Sequence, residues 1–199
     1  MSIVVEHEKR RREILEKALD VFVDEGFEDV TFQKIADRCG ITRTTLYIYF
    51  KNKRDIFNFS IKQLLSVLEN DIIEIGKQKD IPHTERLVTV MGVIIDRLVE
   101  NSRLLSVIMD FLMHMSKSDY DPDYRVRKRT VKLRHILATM LIEGIKAGEF
   151  DSSIIVKDAN ELLYSFVEAA CYRLVVLRRS SVEDIKDAVK LAVLCFAVS

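Results

Sequence analysis

Proline and glycine are scarce, at two and six residues in 199, and tryptophan is absent. That leaves little turn chemistry for an all-β fold, which needs a turn every few residues. Cysteine is sparse and scattered: Cys39, Cys171 and Cys195 form no Cys-x-x-Cys pair and no disulfide ladder, which points to a reducing compartment. Long apolar runs are missing too. The longest is the eight residues from Leu191 to Val198, too short to span a bilayer. The opening MSIVVEHEKRRRE lacks the apolar stretch of a signal peptide, so a cytoplasmic protein with no membrane partner is expected. An excess of either charge is also absent. The formal net charge is +0, so bulk charge gives no support to a nucleic-acid partner and only charge position can. No nucleophile elbow, Gly-rich phosphate loop or pair of catalytic carboxylates stands at recognisable spacing, so an enzyme is not expected and no cofactor is implied.

What the chain does have is 48% hydrophobic residues, enough for a core, arranged with helical period. Ile14, Leu15, Ala18, Leu19, Phe22 and Val23 form one apolar stripe flanked by charge, and Gly26 ends that helix. Thr31 is placed to cap a short helix whose buried side is Phe32, Ile35 and Ala36. After Gly40, Thr42 is placed to cap a second short helix, from Arg43 toward Tyr49. Asn52 then starts a long helix from Lys53 to about Ile75. Beyond the polar break at residues 76–82, helices are expected at about 83–99, 102–115, 124–147, 156–178 and 182–198, with Pro122 in a loop and Ser180 or Ser181 as the last cap. The expected architecture is all-α with about nine helices. An N-terminal three-helix DNA-binding domain over residues 1–52 precedes a helical ligand-binding and dimerisation domain over residues 53–199.

Residues 31–53, TFQKIADRCGITRTTLYIYFKNK, compress a helix, a glycine turn and a second helix into about twenty residues. Helices this short are unstable alone and must cross each other and the first helix. Ile35, Ala36, Ile41, Leu46 and Phe50 have the spacing to pack there, and Gly40 can take the positive φ of a tight turn. The outward side of the second helix then carries Arg43, Thr44, Tyr47 and Ile48, and a helix of this kind fits the major groove, where base edges are distinguishable. Thr31, Thr42, Thr45, Tyr49 and Lys53 supply hydroxyls and an ammonium suited to phosphate oxygens. Arg43, Lys51, Lys53 and Arg54 fall in an acid-free run, and residues 9–12 form a second basic run. A neutral chain can thus still present a positive face. Tyr47 and Tyr49 also suit the rim of a small core.

This run resembles the helix-turn-helix of the tetracycline-repressor (TetR) family of regulators. The resemblance lies in Thr31, Ile35-Ala36, Gly40, Thr42, Thr45, Leu46, Tyr47, Tyr49, Phe50, Lys51 and Lys53 and covers about the first quarter of the chain. Many members carry histidine where this chain has Ile48 and a small residue where it has Thr44. Both positions face DNA in the family, so these departures bear on the operator sequence rather than the binding mode. Residues 142–150, IEGIKAGEF, are similar to the glycine turn that ends the family's seventh helix. The resemblance implies nine helices, a homodimer interface on the last two helices and a ligand pocket in the C-terminal domain.

Several features of the C-terminal part have more than one reading. The last two expected helices are apolar on more than one face, so a partner chain is expected to cover one of them. Leu163, Phe166, Ala170, Leu174, Leu177, Val189, Val193 and Phe196 are the expected interface residues. Met91, Ile95, Leu105, Met109, Phe111, Leu112, Met113, Tyr164 and Tyr172 are the candidate pocket residues, chosen for apolarity and helix membership, and they suggest a largely apolar effector. The basic stretch Arg125, Arg127, Lys128, Arg129, Lys132 and Arg134 reads as a solvated helix face or as a site for an anionic head group. Asp110 and His114 stand four apart on one helix, but no second His or Cys lies at ligand spacing, so no metal is expected. The function expected is a ligand-responsive regulator, by default a repressor, that binds a roughly palindromic double-stranded operator as a homodimer and is released by a small-molecule effector. The alternative is a helical small-molecule-binding or protein-interaction module without sequence-specific DNA binding.

Overall fold

The computed structural model describes residues 3–78, 80–115 and 122–198, with the side chains of residues 3, 4, 114, 115, 122–127 and 129 left aside. Among the described residues the elements are α1 (Ile3–Glu25), α2 (Phe32–Cys39), α3 (Arg43–Tyr49), α4 (Lys53–Gly76), α5 (His83–Glu100), α6 (Ser102–Met115), α7 (Pro122–Lys146), α8 (Val156–Val175) and α9 (Glu183–Leu194). They contain no strand, only one antiparallel bridge between Phe150 and Ala197. Two compact units result: residues 1–66 with 106–118, and residues 67–105 with 119–199. The boundary expected at 52/53 therefore falls inside the first unit, because α4 carries its first turns into that unit's core and α6 returns to it.

In the first unit, α1 buries Ile14, Leu15, Ala18, Val21 and Phe22 and stops at Gly26, whose φ of 79° is the left-handed conformation that spares a Cβ clash. Phe22, Phe27, Phe57 and Phe111 form an aromatic cluster with edge contacts such as Phe27 to Phe111 at 4.5 Å and Phe22 to Phe57 at 4.9 Å. The buried Ser60 hydroxyl donates to the Leu15 carbonyl at 3.0 Å and so leaves no lone donor in the α1–α4 seam.

In the second unit, α5 packs against α7, α8 and α9. Its buried residues Leu87, Val90, Met91, Ile94 and Ile95 recur at helical spacing, as a helix with neighbours on one broad face requires. The glycine turn expected at the end of α7 is present: Gly148 has φ 75°, and Glu149 and Phe150 both donate to the Gly144 carbonyl. Phe150 is driven inward and fills the space beside Gly144, where a Cβ would meet its ring carbon at 2.2 Å.

Three local expectations need correction. Pro122 opens α7 instead of lying in a loop; its missing N–H costs nothing in the first turn. Helix α8 ends at Val175, short of residue 178, because Arg178 takes a φ of 52°. Helix α9 begins at Glu183 and stops at Leu194, so the last expected turns are irregular; Ser181 still accepts from the Glu183 N–H at 3.4 Å. Residues 116–121 of the expected loop lie outside the described residues.

Candidate nucleic-acid interface

The helix-turn-helix is built by two capped starts and one glycine stop. Thr31 Oγ1 accepts from the Lys34 N–H at 3.2 Å, and Thr42 Oγ1 accepts from the Thr45 N–H at 3.1 Å. Between them Gly40 adopts φ 66° and ψ 36°, its N–H and that of Ile41 closing onto the Asp37 and Ala36 carbonyls at the end of α2. A capping threonine spends its oxygen as an acceptor and keeps its hydroxyl proton. Thr31 therefore still has a donor to offer a phosphate, while Thr42 and Thr45 share one proton in their 2.8 Å contact.

Helix α3 divides cleanly. Leu46 within it and Phe50 just after it are buried, together with Ile35, Ala36 and Cys39 of α2. Arg43, Thr44, Tyr47 and Ile48 lie on the exposed side, with Tyr47 at 50% and Ile48 at 69% exposure. Arg43 Nη2 donates to the Tyr47 hydroxyl at 3.2 Å, and the Tyr47 ring lies 4.7 Å from Phe32, so the guanidinium is held up by an aromatic that is itself braced from below. Tyr49 is half-buried and stacks on His7 at 4.6 Å. Arg43, Thr44, Tyr47 and Ile48 thus share the exposed side of α3.

The charge expectation sharpens as well. Acids of the α1 end, separated in sequence from α2, are neutralised by it: Glu25 pairs with Lys34, and Asp24 with Arg38 at 3.2 Å. Arg43, Lys51 and Arg54 are exposed. Lys53 is different. Its ammonium donates to the carbonyls of Phe27 at 2.9 Å and Glu28 at 2.8 Å and sits 4.7 Å above the Phe27 ring. Lys53 thus staples the α1–α2 turn with two of its three donors, and one donor is left over for the expected phosphate contact.

The expected pocket residues do not assemble within either unit. Met91, Ile95 and Tyr164 are buried in the core of the second unit, with Leu105 packed at its edge. Phe111 belongs to the aromatic cluster of the first unit, along with the half-buried Met109 and Leu112. Met113 and Tyr172 are exposed. Of the basic stretch, the half-exposed Lys132 pairs with Glu69 at 2.9 Å, as on a solvated face, whereas Arg134, its side chain only 18% exposed, pairs with Glu161 at 2.6 Å and is no part of such a face; the side chains of residues 125, 127 and 129 lie outside the described ones, as does that of His114.

The interface residues expected on the last two helices need the largest correction. Leu163, Ala170, Leu174, Val189 and Val193 are buried inside their own subunit, Phe166 is half-buried against the same core, and Phe196 packs edge-on to Phe150. Only Leu177 of the eight is exposed; the outward apolar side chains are Leu162, Tyr172, Val176, Leu191, Leu194 and Val198.

Two arginines have apolar surroundings in the structure. The Arg134 guanidinium lies 3.6 Å over the ring of the buried Tyr164, whose hydroxyl is pushed above the usual tyrosine range by burial. Arg86 is buried within the α5 stripe. Its signal was present in the sequence: Arg86 stands four residues before Val90, on the apolar face of α5.

Comparison with known proteins gives this surface a context. The family described as bacterial regulatory proteins, tetR family, matches residues 14–58, which contain α2 and α3 entirely. The fatty acid metabolism regulator protein of Bacillus subtilis is 26% identical over 160 residues, covering 78% of each chain. Among solved structures, FadR from Bacillus subtilis in complex with stearoyl-CoA aligns with TM-score 0.75 and 22% identity over 94% of this chain and 97% of that one. A TetR transcription regulator from Haloarcula marismortui aligns with TM-score 0.78 and 18% identity over 96% and 97%. These relatives are named for regulation, none for catalysis, and the all-helical fold with an N-terminal helix-turn-helix is theirs as well.

Proposed function

We propose that the chain is a regulator of the tetR family that represses transcription as a homodimer seated on a roughly palindromic operator and leaves it when a small molecule binds. The observation that carries this reading is the division of α3: Leu46 and Phe50 hold it from behind, while Arg43, Thr44, Tyr47 and Ile48 stand bare. That face reads base edges, with Arg43 as the guanine-seeking donor and the Ile48 side chain as an apolar contact for a thymine methyl. Thr31, Thr42, Thr45 and Tyr49 position the backbone, with Lys51, Lys53 and Arg54 as the cations. The work is done in the cytoplasm. In keeping with this, no helix among the described residues is long and apolar enough to cross a membrane.

For the effector we propose the chemistry named for one similar structure, FadR in complex with stearoyl-CoA: a long-chain acyl thioester of coenzyme A. The largely apolar helices of the second unit suit its acyl chain. Helix α4 runs unbroken from Lys53, at the start of the DNA-side turn, to Gly76 in the second unit, and provides a continuous element whose two arrangements a ligand can bias. The outward apolar side chains of α8 and α9 supply the face that a second copy covers.

The test is selection of bound fragments from genomic DNA, followed by titration of the recovered operator. Arg43→Ala is expected to weaken operator binding by about 1–3 kcal/mol while leaving random DNA nearly unchanged. Stearoyl-CoA is expected to release the wild-type protein. Retention on no DNA sequence would leave the helical interaction module as the reading.

A further inference from the structure

One end of the second unit holds a positive charge that the fold does not explain. Arg86, on the first turns of α5, is only 6% exposed. Its Nη1 donates to the carbonyl of Gly76, the last residue of α4, at 2.8 Å. That bond closes α4 and places a cation at the negative end of its dipole. The helix end supplies about half a charge and one acceptor, yet a guanidinium has a full charge and five donors. Nε is buried with no partner, and no carboxylate among the described residues lies within ion-pair distance. Buried cations are ordinarily paired, because an uncompensated one is costly to desolvate.

Arg86 lines an open cleft of about 640 Å³ together with Gly76, Lys77, His83, Glu143 and Lys146. Two permanent cations there, Arg86 and Lys146, face one lining carboxylate, Glu143, while the third, Lys77, is paired with Glu74 at 2.7 Å. Outside the lining, Glu149 accepts from the Thr84 N–H at 3.3 Å, where it serves the α5 start that Pro82 cannot cap with a side chain. The cleft is thus concave, cationic and built round a buried arginine short of partners, which is the chemistry of a site for a multiply charged oxyanion.

We propose that this cleft is a phosphate site, with Arg86 as its buried positioning charge and Lys146 as its outer cation. In its simplest use it takes the phosphate-bearing head of the effector, a step that rests on the acyl-coenzyme A reading above; a free inorganic phosphate offers the same chemistry.

The experiment titrates inorganic pyrophosphate into the full-length protein by calorimetry at low salt, for wild type, Arg86→Gln and Lys146→Gln, with thermal melts as the fold control. Wild type is expected to bind, Arg86→Gln to bind about tenfold more weakly, and the exposed Lys146→Gln about threefold more weakly with an unchanged melt. Arg86→Gln also loses the α4 closure, so Lys146→Gln decides if that variant melts early. Equal binding by wild type and Lys146→Gln, or none by wild type, overturns the proposal. Competition of pyrophosphate by coenzyme A assigns the site to the effector's head, and binding without competition assigns it to free phosphate. Operator release by stearoyl-CoA, measured separately on wild type, reports on the effector reading alone.

Discussion

The imidazole of His7 lies stacked on the ring of Tyr49, with centroids 4.6 Å apart and planes 26° from parallel. The contact joins the exposed start of α1 to the last residue of α3. It limits the swing of a tyrosine whose hydroxyl the regulator reading directs at a phosphate. His7→Ala is therefore expected to weaken operator binding about threefold, with no change in the melting temperature, whereas His7→Phe retains affinity by keeping the stack. Gel-shift titration of the three proteins decides it, and equal affinity for all three would show the stack to be idle.

Lys53 tests a different idea. An ordinary phosphate contact would, on removal, reduce the slope of log binding constant against log salt by about one. With two donors spent on the Phe27 and Glu28 carbonyls, Lys53→Met should also cost about 1–2 kcal/mol of stability in urea melts.

Lys53 is less legible in the sequence than its neighbours. Caps and glycine stops are local chemistry, so Thr31, Gly40, Thr42 and Asn52 announced themselves, and the Asn52 side chain does accept from Asp55 at 2.9 Å. The inward side of α3 followed from spacing within seven residues. Lys53 finds its partners some 25 residues away on the carbonyls of a turn, which have no sequence signature. The same limit explains the last two helices. Periodicity reveals that α8 and α9 each carry two apolar stripes, but both have the same period, and only packing tells which one meets α5. The expected pocket residues divide between the units for a related reason: α6 is one helix by pattern, yet residues 106–115 belong with the first unit.

Two glycines make opposite demands on a methyl group. At Gly40 there is open space, but φ is 66°, so Gly40→Ala should cost about 1 kcal/mol through backbone strain. At Gly144 the backbone is ordinary, but a Cβ would lie 2.2 Å from a carbon of the buried Phe150 ring. Gly144→Ala should therefore cost about 2–3 kcal/mol by overpacking, and Phe150→Leu in the same chain should recover part of it. Paired denaturant melts check both, and an additive double variant would refute the steric cause.

The dimer offers the sharpest separation of core from interface, because neighbouring leucines have opposite fates. Leu174 is 6% exposed and packs with Leu163, Ala170 and Val189, so a charge there has no route to water. Leu174→Glu should unfold the second unit, lowering helicity and melting temperature together, since an uncompensated buried carboxylate costs several kcal/mol. Leu191 is 66% exposed, and Leu194 follows three residues later on the same side of α9. Leu191→Glu with Leu194→Glu should keep the monomer folded, because neither side chain supports its own core, yet place two like charges opposite their symmetry mates and dissociate the dimer. Sedimentation at micromolar concentration should show wild type as a dimer and the double variant as a folded monomer. Tight operator binding should disappear with the dimer, since one recognition helix then reads only one half-site. A double variant that still sediments as a dimer would move the interface away from α9, and a wild-type monomer would remove the two-fold arrangement on which palindromic recognition depends.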